Sequence, residues 1–167
     1  MPETIEMPTV NLLRADYNDP RAAVLRTAMD NEMGILYFDS AARMTSEISE
    51  RMSNALVVDP SEMVATVLVM DGDTAIGHAA LRPYGDAFEV KRVFVDASAR
   101  GRGVARVLML EMENIARERG ISKLVLQTGG LQIGAIRLYE SLGYLPIPSF
   151  RGYEAVPGGH CFAKSLV

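Results

Sequence analysis

Arg100-Gly101-Arg102-Gly103-Val104-Ala105 lies between an apolar run that ends at Val95 and a helical pattern that begins near Val104. Two glycines and three basic side chains, counting Arg106, therefore sit where a strand hands over to a helix. The start of a helix leaves four backbone N–H groups unpaired and carries partial positive charge. Glycine lets such a backbone close on a ligand with no Cβ in the way. The ligand expected there is an anion, a phosphate above all. A glycine-rich turn with solvated arginines satisfies these six residues equally well, so the flanking sequence has to decide.

The chain has 167 residues, 49% of them apolar, which is enough for one domain with a sizeable core. A net charge of −4 argues against a general nucleic-acid binder. Against that acidic background, Lys91, Arg92, Arg100, Arg102 and Arg106 share their window with a single acid, Asp96. A basic island in an acidic protein suits a small anionic ligand better than a polyanion. Cys161 is the only cysteine, and His78 and His160 are the only histidines, so neither a disulfide within the chain nor a zinc centre is expected, and no metal is assigned. No apolar run approaches the ~20 residues of a membrane span. The acidic start, Met1-Pro2-Glu3-Thr4-Ile5-Glu6, lacks the basic region of a signal peptide. The expectation is a cytoplasmic protein with no membrane partner.

In chain order, residues 1–8 read as a loose tail and Val10–Arg14 as a short strand. Asn18 or Asp19 can cap a helix that starts at Pro20 and runs to Gly34. Ile35-Leu36-Tyr37-Phe38 reads as an apolar loop, either core or the wall of a substrate pocket. A second helix is expected over about Thr45–Ala55, with Glu47 and Glu50 near its start. Met63–Met70, Thr74–Leu81 and Ala87–Val95 read as strands of an antiparallel meander, with turns at Asp71-Gly72-Asp73 and Pro83-Tyr84-Gly85-Asp86 and a possible bulge at Gly77. From Val104 to Arg119 the apolar face is Val104, Val107, Leu108, Met112, Ile115 and Ala116, with Arg106, Glu113, Asn114, Arg117 and Glu118 outside and Gly120 as the stop. Ser122–Leu126 is a short strand, and the strand–helix–strand crossover over 87–126 makes its two strands parallel. Leu131–Leu142 is a short helix, 144–159 a Pro- and Gly-rich loop or irregular hairpin, and Cys161–Leu166 a final edge strand. With no repeat and no linker, residues 1–167 form one domain.

Of the phosphate loops, the Walker pattern finds no match. The dinucleotide fingerprint starts well at Gly101-Arg102-Gly103 but meets Arg106 at its sixth position, and antiparallel strands before it are wrong for that fold. Arg100-Gly101-Arg102-Gly103-Val104-Ala105 instead matches the Arg/Gln-x-x-Gly-x-Gly/Ala loop of the GNAT superfamily of acyl-CoA N-acyltransferases. Val90–Val95 resembles that family's fourth strand. Ala135-Ile136-Arg137-Leu138-Tyr139-Glu140-Ser141-Leu142-Gly143-Tyr144 resembles its late motif, at the right distance. The resemblance is specific over 87–145. With Leu81-Arg82-Pro83 and the Cys161-Phe162 tail, it is similar to a branch of small bacterial members. It implies an α/β (α+β) fold: a mixed, mostly antiparallel sheet around a central parallel strand–helix–strand unit.

The resemblance also implies a chemistry. Acetyl transfer from acetyl-CoA to an amine needs a held thioester, a neutral amine, donors for the oxyanion and an acid for the leaving thiolate. The backbone N–H groups of Arg100, Gly101, Arg102, Gly103, Val104 and Ala105 are expected on the pyrophosphate. Val93, Phe94 and Val95 are expected along the pantetheine arm, with an N–H near Phe94 facing the thioester oxygen. In the family a bulge lets this strand and the next splay apart to admit the cofactor. Tyr139 is the candidate acid, since a phenol of pKa ~10 can donate to a thiolate whose thiol has pKa ~8.5. Glu89, eleven residues before Arg100, has the spacing of the catalytic glutamate in some protein-acetylating members. It is the candidate base, and it could equally face Lys91 or an arginine across the strand. The family often has Asn where this chain has Gln132, which keeps an amide with a different reach. Arg82 is the candidate holder of a substrate carboxylate, or else a solvated turn residue. His78 reads as a strand residue with a satisfied ring, and nothing activates Cys161.

The leading expectation is direct acetyl transfer to a primary amine on a small molecule. Acetylation of a protein lysine or N-terminus, and a catalytically weak acyl-CoA-binding or sensing module, are its rivals. Exposed edge strands also make a homodimer possible.

Overall fold

The computed structural model describes residues 10–167, so the tail expected over 1–8 falls outside the described residues. Strands β1 (Asn11–Ala15), β2 (Ala65–Asp71), β3 (Thr74–Tyr84), β4 (Ala87–Val95), β5 (Lys123–Gly129), β6 (Leu145–Ile147) and β7 (Gly159–Ser165) form one sheet in the order β1-β2-β3-β4-β5-β7-β6. Every neighbouring pair is antiparallel except β4 with β5. That parallel pair is joined through helix α4 (Val104–Glu118), the kind of crossover that parallel neighbours require. The expected mixed sheet is therefore present. One edge differs from the reading: β6 pairs along the outer side of β7, so β7 is internal. A three-residue strand between Pro- and Gly-rich segments has too little periodicity to show in sequence.

Helix α1 (Pro20–Leu36) starts as expected, with the Asp19 carboxylate accepting from Arg21 N at 2.9 Å, but it continues through Gly34 to Leu36. After Tyr37 the chain re-enters a single helical segment, α2 (Phe38–Ala42), in place of the expected loop. Helix α3 (Ser46–Leu56) is capped by Thr45, whose Oγ1 accepts from Ile48 N at 3.3 Å.

The two faces of the sheet are covered differently. Val104, Leu108, Met109, Met112, Ile115 and Ala116 of α4 pack on Val67, Val69, Ile76, Ala79, Leu81, Phe88, Val90, Leu124 and Leu126. Gly77 makes this packing possible: a Cβ there would lie 2.9 Å from Val104 Cγ1 and 3.1 Å from Leu108 Cδ1. The bulge expected at Gly77 falls beside it, where Val69 faces Gly77 but Met70 faces Ala75. On the other face, α1 sets Ala22 and Leu25 against Leu68, Met70 and Phe94. Further along that face, Phe150 and Tyr153 cover Ala87, Val125 and Cys161. Glu113 is not outside α4 but 1% exposed, because Lys164 of β7 reaches its Oε1 at 2.5 Å.

The fold's central irregularity is in β4. Ala80 faces Lys91 and His78 faces Phe94, so Arg92 and Val93 together oppose one residue of β3. Arg92 has φ of +58°, a backbone state that costs a non-glycine residue ~1 kcal/mol or more. Two contacts hold it. His78 Nδ1–H donates to the Arg92 carbonyl at 2.8 Å, and the Arg92 guanidinium meets Asp30 of α1 at 2.6 Å. His78 Nε2 in turn accepts from Arg26 Nη1 at 3.0 Å, so the ring is neutral and fully used. Burial lowers its pKa to about 4. The folded state thus resists a proton that the unfolded chain accepts below pH ~6.5, and stability falls as pH drops from there toward 4. This one group is expected to remove about 2 kcal/mol between pH ~7 and pH ~5. Urea midpoints at the two pH values check this, and the same difference persisting in His78→Gln would count against it.

Candidate active site

The bulge changes what β4 presents to β5. The parallel pairing covers only Phe88 with Leu124, Glu89 with Val125 and Val90 with Leu126. Beyond Val90 the two strands part, and the β5-facing edge of β4 has no strand partner. A cleft of about 520 Å³ opens in the gap. Val93, Phe94 and Val95 form one wall, the glycine loop and the start of α4 a second, and Leu131–Ala135 with Leu138 and Tyr139 of α5 (Ile133–Ser141) a third. Met29, Glu32, Met33 and Leu36 of α1 close the remaining side.

The loop carries two glycines in the left-handed region, Gly101 at φ +76° and Gly103 at φ +77°. A Cβ at either would meet nothing within 4 Å, so their need is conformational and the space above them is open. Gly103 caps α4 without a side-chain bond. Among the described residues, no acceptor pairs with any backbone N–H from Gly101 to Arg106, whereas Val107 N donates back to Gly103 O at 3.1 Å. Six consecutive donors at a helix start, with an open approach, form a cradle for an anion of phosphate size. The arginines divide. Arg100 turns back, Nε to Val95 O at 3.0 Å and Nη2 to Glu32 at 2.6 Å. Arg106 lines the cleft, while Arg102 lies outside it and approaches Asp71 at 3.8 Å.

Tyr139 is 5% exposed, with its ring beside Tyr144 and Phe162 and one side on the cleft. Burial pushes its phenol well above the usual value. A group so held keeps its proton at neutral pH. The same apolar surroundings raise the proton affinity of any thiolate placed beside it, so transfer between them remains possible. Gln132 caps α5 through its position, its N–H donating to Gly129 O at 3.0 Å, and its side chain lines the cleft.

Glu89 and Arg82 do not line the cleft. They face each other directly across β3 and β4, on the α1-covered side. Arg82 is not at a solvated turn: it is 2% exposed and every nitrogen of its guanidinium is engaged. Nε donates to Glu89 Oε1 at 2.7 Å, Nη2 to the Tyr153 hydroxyl at 3.0 Å, and Nη1 to Val57 O at 3.3 Å. The carboxylate it holds is the chain's own. Tyr153 donates to Glu89 Oε2 and accepts from Lys91 Nζ at 3.1 Å. Arg151 Nε sits 3.2 Å from Glu89 Oε1. To take a proton, Glu89 must release one of these donors.

Lys91, Arg151 and Tyr153 were not legible as site residues. Tyr153 and Arg151 fall within 144–159, where the sequence shows only turn chemistry; a 3-10 turn at Tyr153–Ala155 seats the tyrosine. Cys161 is buried and burial pushes its thiol up, the wrong direction for a nucleophile. Among the described residues, no helix is long and apolar enough to cross a membrane.

Comparison with known proteins agrees with this geometry. The model of the Acetyltransferase (GNAT) family matches residues 25–144. An IAA acetyltransferase of Azospirillum brasilense is 28% identical, over 90% of this chain and 94% of that protein. N-acetyltransferase 8 of Homo sapiens is 31% identical over 59% of this chain, which spans only 41% of the human protein. Among solved structures, the paia N-acetyltransferase of Thermoplasma acidophilum in complex with coenzyme A superposes with a TM-score of 0.66 at 16% identity, covering 95% of this chain and 99% of that one. At that identity the likeness is one of fold.

Proposed function

The chain belongs to the GNAT family of acetyltransferases, and from that premise we propose that it moves the acetyl group of acetyl-CoA directly to a primary amine on a small molecule. One observation carries the reading: a free strand edge, a row of unpaired N–H donors and Tyr139 all open on one cleft. The coenzyme A complex of the Thermoplasma structure, which shares the fold, supports the same use of the cleft.

Acetyl-CoA supplies an activated acetyl group on a thiol leaving group. The loop N–H groups of residues 100–105 would take its pyrophosphate, with Arg106 adding charge at the rim. The free edge at Val93, Phe94 and Val95 would pair with the pantetheine arm as an added strand does, and Gln132 would reach that arm from the head of α5. Tyr139 would hold the proton that a departing thiolate needs. Glu89 would draw the proton from the amine, with Arg82 holding it in place. A small acceptor is favoured because the polar groups on the acceptor face are enclosed. Glu89 is 0% exposed, beneath Tyr153 and the Tyr153–Ala155 turn, against which α3 lies. A peptide read in extended form needs an open trough.

Thiol release from acetyl-CoA with a panel of amines, amino acids, polyamines and peptides tests the reading. Release with peptides alone overturns the small-molecule acceptor. Tight acetyl-CoA binding without release by any amine overturns transfer and leaves a sensing module. Glu89→Gln is expected to lower kcat/KM by about 100-fold at mildly acid pH and less at alkaline pH, where more of the amine is already neutral. An unchanged pH–rate profile would leave Glu89 as the counter-ion of Arg82 and Arg151 and nothing more.

A further inference from the structure

The cluster around Glu89 does not balance. Arg82, Lys91 and Arg151 bring three cationic side chains to one buried carboxylate. The next acid, Glu62, lies 3.8 Å from Arg151 at the solvent rim, its side chain 44% exposed. Burying like charges together is unfavourable without a counter-charge. The bonding is uneven as well. Arg82 makes one bond from each of its three nitrogens, and the Tyr153 hydroxyl gives its one proton to Glu89 and accepts twice. Lys91 is 8% exposed yet donates once, to that hydroxyl, leaving two N–H groups without an acceptor among the described residues. Burial first, and then the neighbouring arginines, lower its pKa to about 8 against the opposing attraction of Glu89. Arg151 Nη2 meets Pro83 O at 3.1 Å, and its side chain, 30% exposed, is the part of the cluster that faces solvent.

Position gives the surplus a use. Lys91 directly follows Val90, the last residue of β4 paired with β5, and directly precedes the bulge at Arg92. It therefore stands where β4 parts from β5, on the sheet face opposite α4, outside the lining of the cleft but two residues before the strand edge assigned to the pantetheine arm.

We propose that the acceptor amine itself carries a carboxylate, which docks on Lys91 and Arg151 and supplies the missing negative charge. Glu89 neutralises Arg82 and orients Tyr153, which aims the Lys91 ammonium. The acceptor class is then an amino acid or a related amino-carboxylic acid. This rests on the acetyltransferase reading, but its test does not depend on turnover.

Calorimetric titration of the full chain with coenzyme A present, using N-acetylglycine, N-acetyl-L-leucine, N-acetyl-L-phenylalanine and their primary amides, provides that test. At least one acid is expected to bind about tenfold or more tighter than its own amide, the worth of a charge-assisted pair. Lys91→Arg keeps that preference, and Lys91→Met, which preserves the apolar stem, erases it. Acids binding no tighter than amides, no measurable binding of either, or a preference that survives Lys91→Met overturns the proposal. Thiol release measured in parallel separates the two readings. Release with uncharged amines and no acid preference removes the carboxylate site and leaves the transferase. An acid preference without release by any amine removes the transferase and leaves the site.

Discussion

Tyr139→Phe is expected to lower kcat for acetyl transfer by about 100-fold or more, the usual worth of a positioned general acid. Phenylalanine keeps the ring that packs beside Tyr144 and Phe162, so only the hydroxyl is lost and the fold is retained. Binding of coenzyme A, read by thermal shift, is expected to stay close to the wild-type value. The acid role makes a sharper demand. An acetyl thioester of a thiol more acidic than that of coenzyme A, ~8.5, leaves without help, so the variant should recover most of its rate with such a donor. A merely structural tyrosine would show no dependence on the leaving group. Full turnover of the variant with acetyl-CoA would remove the assignment.

Lys164→Ala carries the largest expected cost in stability, about 3 kcal/mol or more. Glu113 lies 1% exposed among the apolar side chains of α4, and Lys164 Nζ at 2.5 Å is its close partner. Arg117 approaches the same oxygen only to 3.8 Å, and its side chain is half exposed. Removing one member of a buried pair strands the other, which costs about 3–5 kcal/mol. The second carboxylate oxygen, Oε2, already lacks a partner. Replacing both, as Glu113→Leu with Lys164→Met, is expected to return stability to near the wild-type value, because the pair's own attraction scarcely exceeds its desolvation. Denaturant midpoints of the single and double variants measure this directly. Equal losses in both would mean that packing, not the stranded charge, sets the cost.

The same pair shows where sequence reading stops. Periodicity placed five of the six expected apolar residues of α4 in the buried core, and the glycine loop, the parallel crossover and the position of Tyr139 on a helix were all readable from local pattern. Glu113 was assigned outward from its residue type, since nothing within α4 announces a lysine arriving from a strand fifty residues later. That Glu89 could face an arginine across the strand was legible, but only the register across β3 and β4 decides that the arginine is Arg82. Tyr153 sits in a stretch whose glycines and prolines speak only of turns, so its place at the centre of the cluster is a tertiary fact. The bulge at Arg92 had no glycine to mark it; His78 and Asp30, from two other elements, impose it.

Mechanically, the sheet behaves as two plates, β1–β4 and β5–β7, riveted by three residue pairs. Helix α4 packs chiefly on the first plate, with a small contact to β5. A ligand lodged between the plates would act as a fourth rivet, and occupancy at 100 times Kd adds about 2.7 kcal/mol to the folded state. Those amides of Phe88–Val90 and Leu124–Leu126 that donate across the β4–β5 pairing are then the natural gauges of that seam, slow to exchange when it is filled and faster when it is empty. The survival time of the protein in a cell would in this way follow the supply of its own cosubstrate.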